Sequence, residues 1–108
     1  MPGDLEYSVQ EVSALLKAPN PPKLIDVRQP AEWDIVHLQG AQLLDQELLD
    51  EMMAGWDRNQ AIVCYCHHGM RSLSAAGFLA QQGFTNVKSM RGGIDAWAVE
   101  IDPKLNRY

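Results

Sequence analysis

Short runs of consecutive hydrophobic residues alternate along this chain with segments in which hydrophobic residues recur every three or four positions. The short runs have the length and composition of buried strands, and the spaced segments are typical of helices that cover a core. The predicted strands are residues 23–27, 42–44, 61–65 and 85–90. The predicted helices begin at Ser8, Pro30, Asp45 and about Arg71, and a last short one carries Ile94 and Trp97.

Local signals support several of these boundaries. Ser8 followed by Glu11 is a capping-box pattern, in which each side chain can bond the backbone of the other residue. Pro30 suits a first helical position, and Gly83 is a natural end for the helix that runs to about Gln82. Strands that alternate with helices require crossover connections, so the pattern predicts a single parallel sheet with helices on both faces.

Parallel sheets place their ligand sites outside the carboxyl ends of the strands. Two of the predicted strands end at polar or reactive side chains, in the segments Asp26 to Arg28 and Cys66 to Arg71. The sequence therefore places both groups at one edge of the sheet, and this edge is the candidate site.

Composition limits the classes of protein that fit. A chain of 108 residues with 46% hydrophobic and 21% charged residues is expected to form one domain, residues 1–108. Its net charge of −5 argues against nucleic acid as a partner. No apolar run is long enough to span a membrane, and Met1–Asp4 lacks the features of a signal peptide, so we expect no membrane partner and a cytoplasmic location.

Cys66 is the candidate nucleophile. It ends a strand and is followed by a loop containing Gly69 and then by a helix start, where backbone N–H groups stabilise a thiolate. An ordinary thiol is only about 3% ionised at pH 7. A helix N-terminus contributes at most about 2 kcal/mol, which leaves such a thiol about half ionised, so donors from the loop and Arg71 are needed as well.

Other interpretations of the cysteines are weaker. Cys66 as inert core filler does not fit the glycine, arginine and helix start that follow it. Cys64, two residues earlier on the strand, fits the core better than the role of a resolving thiol. The two cannot close a useful loop, so no structural disulfide is expected. Together with His67 and His68 they lack the separated ligand pairs of structural zinc, so we expect no metal.

Several further motifs occur in order along the chain. They are Leu24-Ile25-Asp26-Val27-Arg28, Glu32-Trp33, His37-Leu38-Gln39-Gly40-Ala41, Tyr65-Cys66-His67-His68-Gly69-Met70-Arg71-Ser72 and Met90-Arg91-Gly92-Gly93-Ile94-Asp95-Ala96-Trp97. With these motifs the chain resembles a single-domain rhodanese of the thiosulfate sulfurtransferase family over roughly positions 5 to 98. The resemblance implies the rhodanese three-layer α/β fold, with a small parallel sheet of about five strands.

The resemblance also implies a reaction. The Cys66 thiolate takes the outer sulfur of a donor such as thiosulfate, becomes a persulfide, and passes that sulfur to cyanide or a thiol, including a thiol on a protein. Arg71 holds the anionic donor, and Asp26 and Arg28 support the loop. No cofactor is implied. The persulfide would be cradled by the backbone N–H groups of His67, His68, Gly69, Met70, Arg71 and Ser72.

Two alternatives stay open. Protein-tyrosine phosphatases and related arsenate reductases separate cysteine and arginine by five residues, whereas Cys66 and Arg71 are separated by four, so the smaller loop favours a sulfur atom over phosphate. A rhodanese module without catalysis, which binds a protein partner or senses redox state, would share the fold. A sulfur carrier, which accepts a persulfide sulfur and hands it on, lies between that module and the enzyme. The intact cysteine loop favours retained chemistry.

Overall fold

Five strands and five helices alternate along residues 5–108, the part of the chain that the computed structural model describes. Met1–Asp4, used above in the expectation about a signal peptide, lies outside the described residues. The elements are β1 Glu6–Tyr7, α1 Val9–Leu16, β2 Lys23–Asp26, α2 Pro30–Ile35, β3 Gln42–Leu43, α3 Gln46–Gly55, β4 Ile62–Tyr65, α4 Met70–Gln81, β5 Val87–Met90 and α5 Gly93–Glu100. None of these helices has the length and apolar character needed to cross a lipid bilayer.

The strands form one parallel sheet in the order β1-β5-β4-β2-β3, so β4 lies at its centre. This confirms the predicted fold class. The sequence pattern did not predict β1, which is two residues long and pairs Glu6 with Ser89 and Tyr7 with Met90 of β5. The register pairs Asp26 of β2 with Tyr65 of β4, so the residues that follow these two strands emerge at the same edge.

Two hydrophobic clusters, one on each face of the sheet, confirm the predicted three layers. Alternate residues of β4 enter different clusters, because successive side chains of a strand point to opposite faces. One cluster comprises Ile25, Leu48, Met52, Ile62, Cys64, Ala76, Leu79, Phe84 and Val87. The other comprises Val9, Val12, Leu24, Leu38, Val63, Tyr65, Met90 and Ile94.

The helix boundaries follow the predicted local chemistry closely. Ser8 forms both hydrogen bonds of the capping box with Glu11, and Asp45 accepts a hydrogen bond from the Leu48 N–H group at the start of α3. The helix after the cysteine begins at Met70, one residue earlier than expected, with Gly69 as its N-cap. This early start brings the first turn of α4 directly over the end of β4.

Candidate active site

Cys66 lies at the carboxyl end of the central strand with only 1% of its surface exposed. Its sulfur is not sealed in apolar packing. The Gly69 N–H group donates a hydrogen bond to Sγ at 3.1 Å and the Ser72 N–H group donates one at 3.3 Å. The Ser72 hydroxyl lies 3.4 Å from the same sulfur. The chain therefore turns around the sulfur and points polar hydrogens at it.

Two glycines allow the backbone to take this path. Gly69 has φ of +104°, a conformation that side chains rarely adopt, and a Cβ there would lie 3.1 Å from the Gly92 nitrogen. Gly93, with φ of +63°, packs directly against the carbonyl groups of Cys66 and His67, where a Cβ would overlap with them. The loop is thus held against the start of α5 without room for a side chain.

The start of α5 also anchors the loop by hydrogen bonds. The Ile94 N–H group donates to the Cys66 carbonyl at 2.8 Å, and the Asp95 N–H group donates to the His67 carbonyl at 3.1 Å. Because these two carbonyl groups accept hydrogen bonds from α5, the carbonyl side of the loop is held against this helix. Its N–H groups at Gly69 and Ser72 face the sulfur.

The surroundings of Cys66 favour its ionised form. Burial opposes ionisation, but hydrogen bonds from the Ser72 hydroxyl and from the backbone N–H groups of Ser72, Gly69 and Arg71 outweigh it, so the pKa of the Cys66 thiol lies below its ordinary value. An ionised sulfur in such a site is a nucleophile.

Cys64 has the opposite environment. It is completely buried in the hydrophobic cluster that includes Ile25 and Leu79, and burial raises the pKa of its thiol to about 12. Both cysteines are free thiols. The structure therefore places Cys64 in the core, as the sequence favoured, with a neutral thiol.

Two of the six backbone groups expected in the cradle donate hydrogen bonds to Sγ, those of Gly69 and Ser72, and the Arg71 N–H group also helps to lower the pKa of the thiol. Within the described residues, the N–H groups of His67, His68 and Met70 make no hydrogen bond to this sulfur. Their proposed contact with the outer sulfur of a persulfide stays a prediction.

Arg71 forms a bidentate ion pair that the sequence did not reveal. Its Nη1 and Nη2 donate to the two carboxylate oxygens of Glu32 at 2.7 and 2.9 Å. The hydrogen bonds from Arg71 hold the pKa of Glu32 well below its usual range. Arg71 remains half-exposed, and in this arrangement its charge is shared with a carboxylate rather than directed only at a donor.

Asp26 and Arg28 form a buried ion pair at the same edge, with Nη2 of Arg28 2.6 Å from Oδ2 of Asp26. Arg28 also donates to the carbonyl of Val36 at 2.6 Å and to the hydroxyl of Tyr108 at 2.7 Å. Among the described residues, these two side chains make no hydrogen bond to the cysteine loop. The route of contact from this pair to the loop runs through Tyr108, which stacks on His67, so their support of the loop stays a prediction.

Tyr108 is a second residue at this site that sequence reasoning missed. Its hydroxyl donates to Oε2 of Glu32 at 2.7 Å, and its ring stacks on His67 with the centroids 4.0 Å apart. No motif marks it, since it follows a polar segment far along the chain. The residues around Arg71 thus form one network that runs through Glu32 and Tyr108 to Arg28.

The loop also contains two histidines, His67 and His68. Burial lowers the pKa of His67, so this side chain is neutral at pH 7. Possible ligand atoms of His67, His68 and Asp95 lie within 4.8 Å of one another. Arg107 donates to Asp95 at 2.9 Å and already neutralises that carboxylate, which makes the cluster a poor cation site.

Comparisons with known proteins agree with this geometry. The profile of the Rhodanese-like domain family matches residues 8–100. The chain is 34% identical over 84 residues to the thiosulfate sulfurtransferase GlpE of Pseudoalteromonas translucida, covering 78% of this chain and 80% of GlpE. A rhodanese-like domain protein from Staphylococcus aureus has the same fold, with a TM-score of 0.75 at 21% identity over 95% of this chain and 97% of that one.

A longer relative matches only in part. The chain is 41% identical over 87 residues to MoeZ of Mycobacterium tuberculosis, described as a probable adenylyltransferase/sulfurtransferase. The match covers 79% of this chain but only 22% of MoeZ. The similarity is therefore to one portion of that protein.

Proposed function

This chain belongs to the rhodanese-like domain family, and from that premise we propose that it is a sulfurtransferase that carries sulfane sulfur as a persulfide on Cys66. The observation that carries the proposal is the environment of Sγ. A buried sulfur that accepts hydrogen bonds from Gly69 and Ser72 is stabilised as an anion and held in a fixed direction. Its relatives named as sulfurtransferases support the same reaction class.

The proposed cycle has two steps. In the first, an electron pair of the Cys66 thiolate attacks the outer sulfur of thiosulfate, the S–S bond of the donor breaks, and sulfite leaves with that bond's electron pair. In the second, cyanide or a thiolate attacks the outer sulfur of the persulfide. The persulfide S–S bond then breaks and its electron pair returns to Cys66 as the thiolate.

We propose that Arg71 binds the anionic donor and that the N–H groups of His67, His68 and Met70 reach the outer sulfur of the persulfide. Arg71 is half-exposed, so an anionic donor can reach its guanidinium from solvent. The bidentate contact to Glu32 leaves little net positive charge there, so a dianion such as thiosulfate must compete with the carboxylate.

A protein thiol is the second acceptor class, because a thiolate on a protein can attack the outer sulfur of the persulfide as a small thiol does. The chemistry at Cys66 is the same for either acceptor. Free, uncrosslinked cysteines suit a reduced compartment, and we propose the cytoplasm as the place of action.

The phosphatase alternative is disfavoured by the size of the loop. Four residues separate Cys66 from Arg71, and the N–H groups of Gly69 and Ser72 already lie 3.1 and 3.3 Å from Sγ. We propose that this cradle accepts one additional sulfur atom but not a tetrahedral phosphoryl group.

Thiocyanate formation from thiosulfate and cyanide tests the proposal, with p-nitrophenyl phosphate hydrolysis measured in parallel. We expect sulfur transfer by the unaltered chain, its loss in Cys66→Ser, and retention in Ser74→Ala, which removes an exposed hydroxyl on the same helix. Phosphate release without any sulfur transfer would contradict the proposal.

A further inference from the structure

Two buried serines form a chain of hydroxyl contacts that begins at the sulfur of Cys66. Ser72 belongs to the first turn of α4 and Ser89 to β5, and neither has any exposed surface. Their hydroxyl oxygens are 2.7 Å apart, and that of Ser72 is 3.4 Å from Sγ of Cys66. Burying a hydroxyl is unfavourable unless it is hydrogen-bonded, and this condition decides which of the two hydroxyls donates to the other.

Ser89 has a single side-chain partner among the described residues, the hydroxyl of Ser72. If Ser72 donated its proton to Ser89, the proton of Ser89 would be buried without an acceptor, at a cost of about 1–3 kcal/mol. If Ser89 donates to Ser72 instead, neither hydroxyl proton is left buried without an acceptor. Ser89 therefore donates to the oxygen of Ser72.

Because Ser89 donates to the Ser72 oxygen, the hydroxyl proton of Ser72 is left with two possible acceptors. The Gly69 carbonyl lies 3.3 Å away and Sγ of Cys66 lies 3.4 Å away. Hydrogen bonds to a charged acceptor are roughly twice as strong as those to a neutral one, so an ionised sulfur takes the proton in preference to the carbonyl.

We propose that Ser89 is a positioning residue for Cys66, because its hydrogen bond to the Ser72 oxygen holds and polarises that hydroxyl and so strengthens the hydrogen bond from Ser72 to the sulfur. The inference rests on the proposed function and extends it to a residue on a neighbouring strand. The effect matters in both steps of the cycle. The thiolate is stabilised before it attacks the donor, and it is stabilised again when the persulfide S–S bond breaks and the electron pair returns to Sγ.

The test is the rate of Cys66 alkylation by iodoacetamide as a function of pH. Replacing Ser89 by alanine removes the hydrogen bond that holds and polarises the Ser72 hydroxyl, so we expect the rate at pH 7 to fall about two- to fivefold and the profile to move to higher pH. Ser74→Ala, an exposed hydroxyl on α4, is the matched control and should leave the profile unchanged. Ser89→Thr, which restores a hydroxyl, should recover most of the rate.

A double-variant comparison separates positioning from a structural effect. Ser72→Ala removes the donor, so adding Ser89→Ala to it should change the profile no further. In the part of the chain that the structure describes, Cys64 on β4 and Arg71 in α4 are the ionisable groups whose charges act on Cys66, and both are retained in every variant.

Three results would overturn the inference in distinguishable ways. An unchanged profile in Ser89→Ala overturns it, and so does an equal shift with and without Ser72, because that indicates a general distortion. With either of these two results, the proposed sulfur transfer is not contradicted as long as the pKa of Cys66 in the unaltered chain is lowered. A profile of the unaltered chain that matches an ordinary thiol overturns the proposed function as well.

Discussion

The contact between Gly93 and the cysteine loop gives a strong test of how the fold sustains the site. In Gly93→Ala, the added Cβ would lie 2.6 Å from the carbonyl carbon of His67 and would also overlap the carbonyl oxygens of Cys66 and His67. An ordinary contact begins at 3.4 Å, so the loop must retreat by more than about 0.8 Å. A displacement of that size lengthens the hydrogen bonds that reach Sγ.

Gly40→Ala is the matched control. Gly40 also has a positive φ, +82°, but a Cβ there meets nothing within 4 Å. Both substitutions carry the left-handed backbone cost of about 1–2 kcal/mol. Only Gly93→Ala adds overpacking of about 1–3 kcal/mol. We therefore expect it to lower the free energy of unfolding by about 2–5 kcal/mol, against about 1–2 kcal/mol for Gly40→Ala.

Urea unfolding followed by tryptophan fluorescence measures the stability difference, and alkylation of Cys66 at pH 7 reports on the sulfur. We expect Gly93→Ala to slow alkylation several-fold while Gly40→Ala leaves it unchanged. Equal unfolding free energies and equal alkylation rates in the two variants would refute the reasoning that α5 holds the loop in its reactive shape.

Three further perturbations test separate parts of the site. Because the pKa of Cys66 is lowered, the midpoint of its alkylation rate against pH should lie below the ordinary thiol pKa of about 8.5; a midpoint at or above that pH would contradict the assigned thiolate. Glu32→Gln removes the carboxylate that competes with thiosulfate for Arg71. Because a partly exposed ion pair contributes up to about 1 kcal/mol, we expect KM for thiosulfate to fall about two- to fivefold in steady-state assays. A higher KM would show that Glu32 orients Arg71 instead. Asp26→Ala leaves Arg28 buried and unpaired and should reduce the free energy of unfolding by about 3–5 kcal/mol; a loss below 1 kcal/mol in urea unfolding would contradict the buried pair.

The elements that could be predicted from the sequence are those whose signal is local. The central strand β4 is a run of hydrophobic residues because both of its faces are covered, and Ser8 starts α1 through a contact only three residues away. Strand β1 lacked such a signal. Its two residues are in a strand only because they pair with β5, which is about 80 residues further along the chain.

The same division holds at the site. Cys66, Gly69 and Ser72 lie close together in the chain, at the end of β4, at the N-cap of α4 and in its first turn, so their spacing predicts a sulfur surrounded by N–H groups. Glu32 is 39 residues from Arg71 in the chain, and Tyr108 is 76 residues from Glu32. Contacts across such distances depend on the packing of α2 and the polar segment after α5, which no local pattern encodes.

Intact mass spectrometry after incubation with thiosulfate tests the persulfide on Cys66 most directly. Transfer of one sulfur atom predicts a gain of about 32 Da that is located on Cys66 by peptide mapping and removed by cyanide. The gain should persist in Cys64→Ala and vanish in Cys66→Ser. A gain that remains in Cys66→Ser, or no gain with thiosulfate or a persulfide donor, would contradict the role assigned to Cys66.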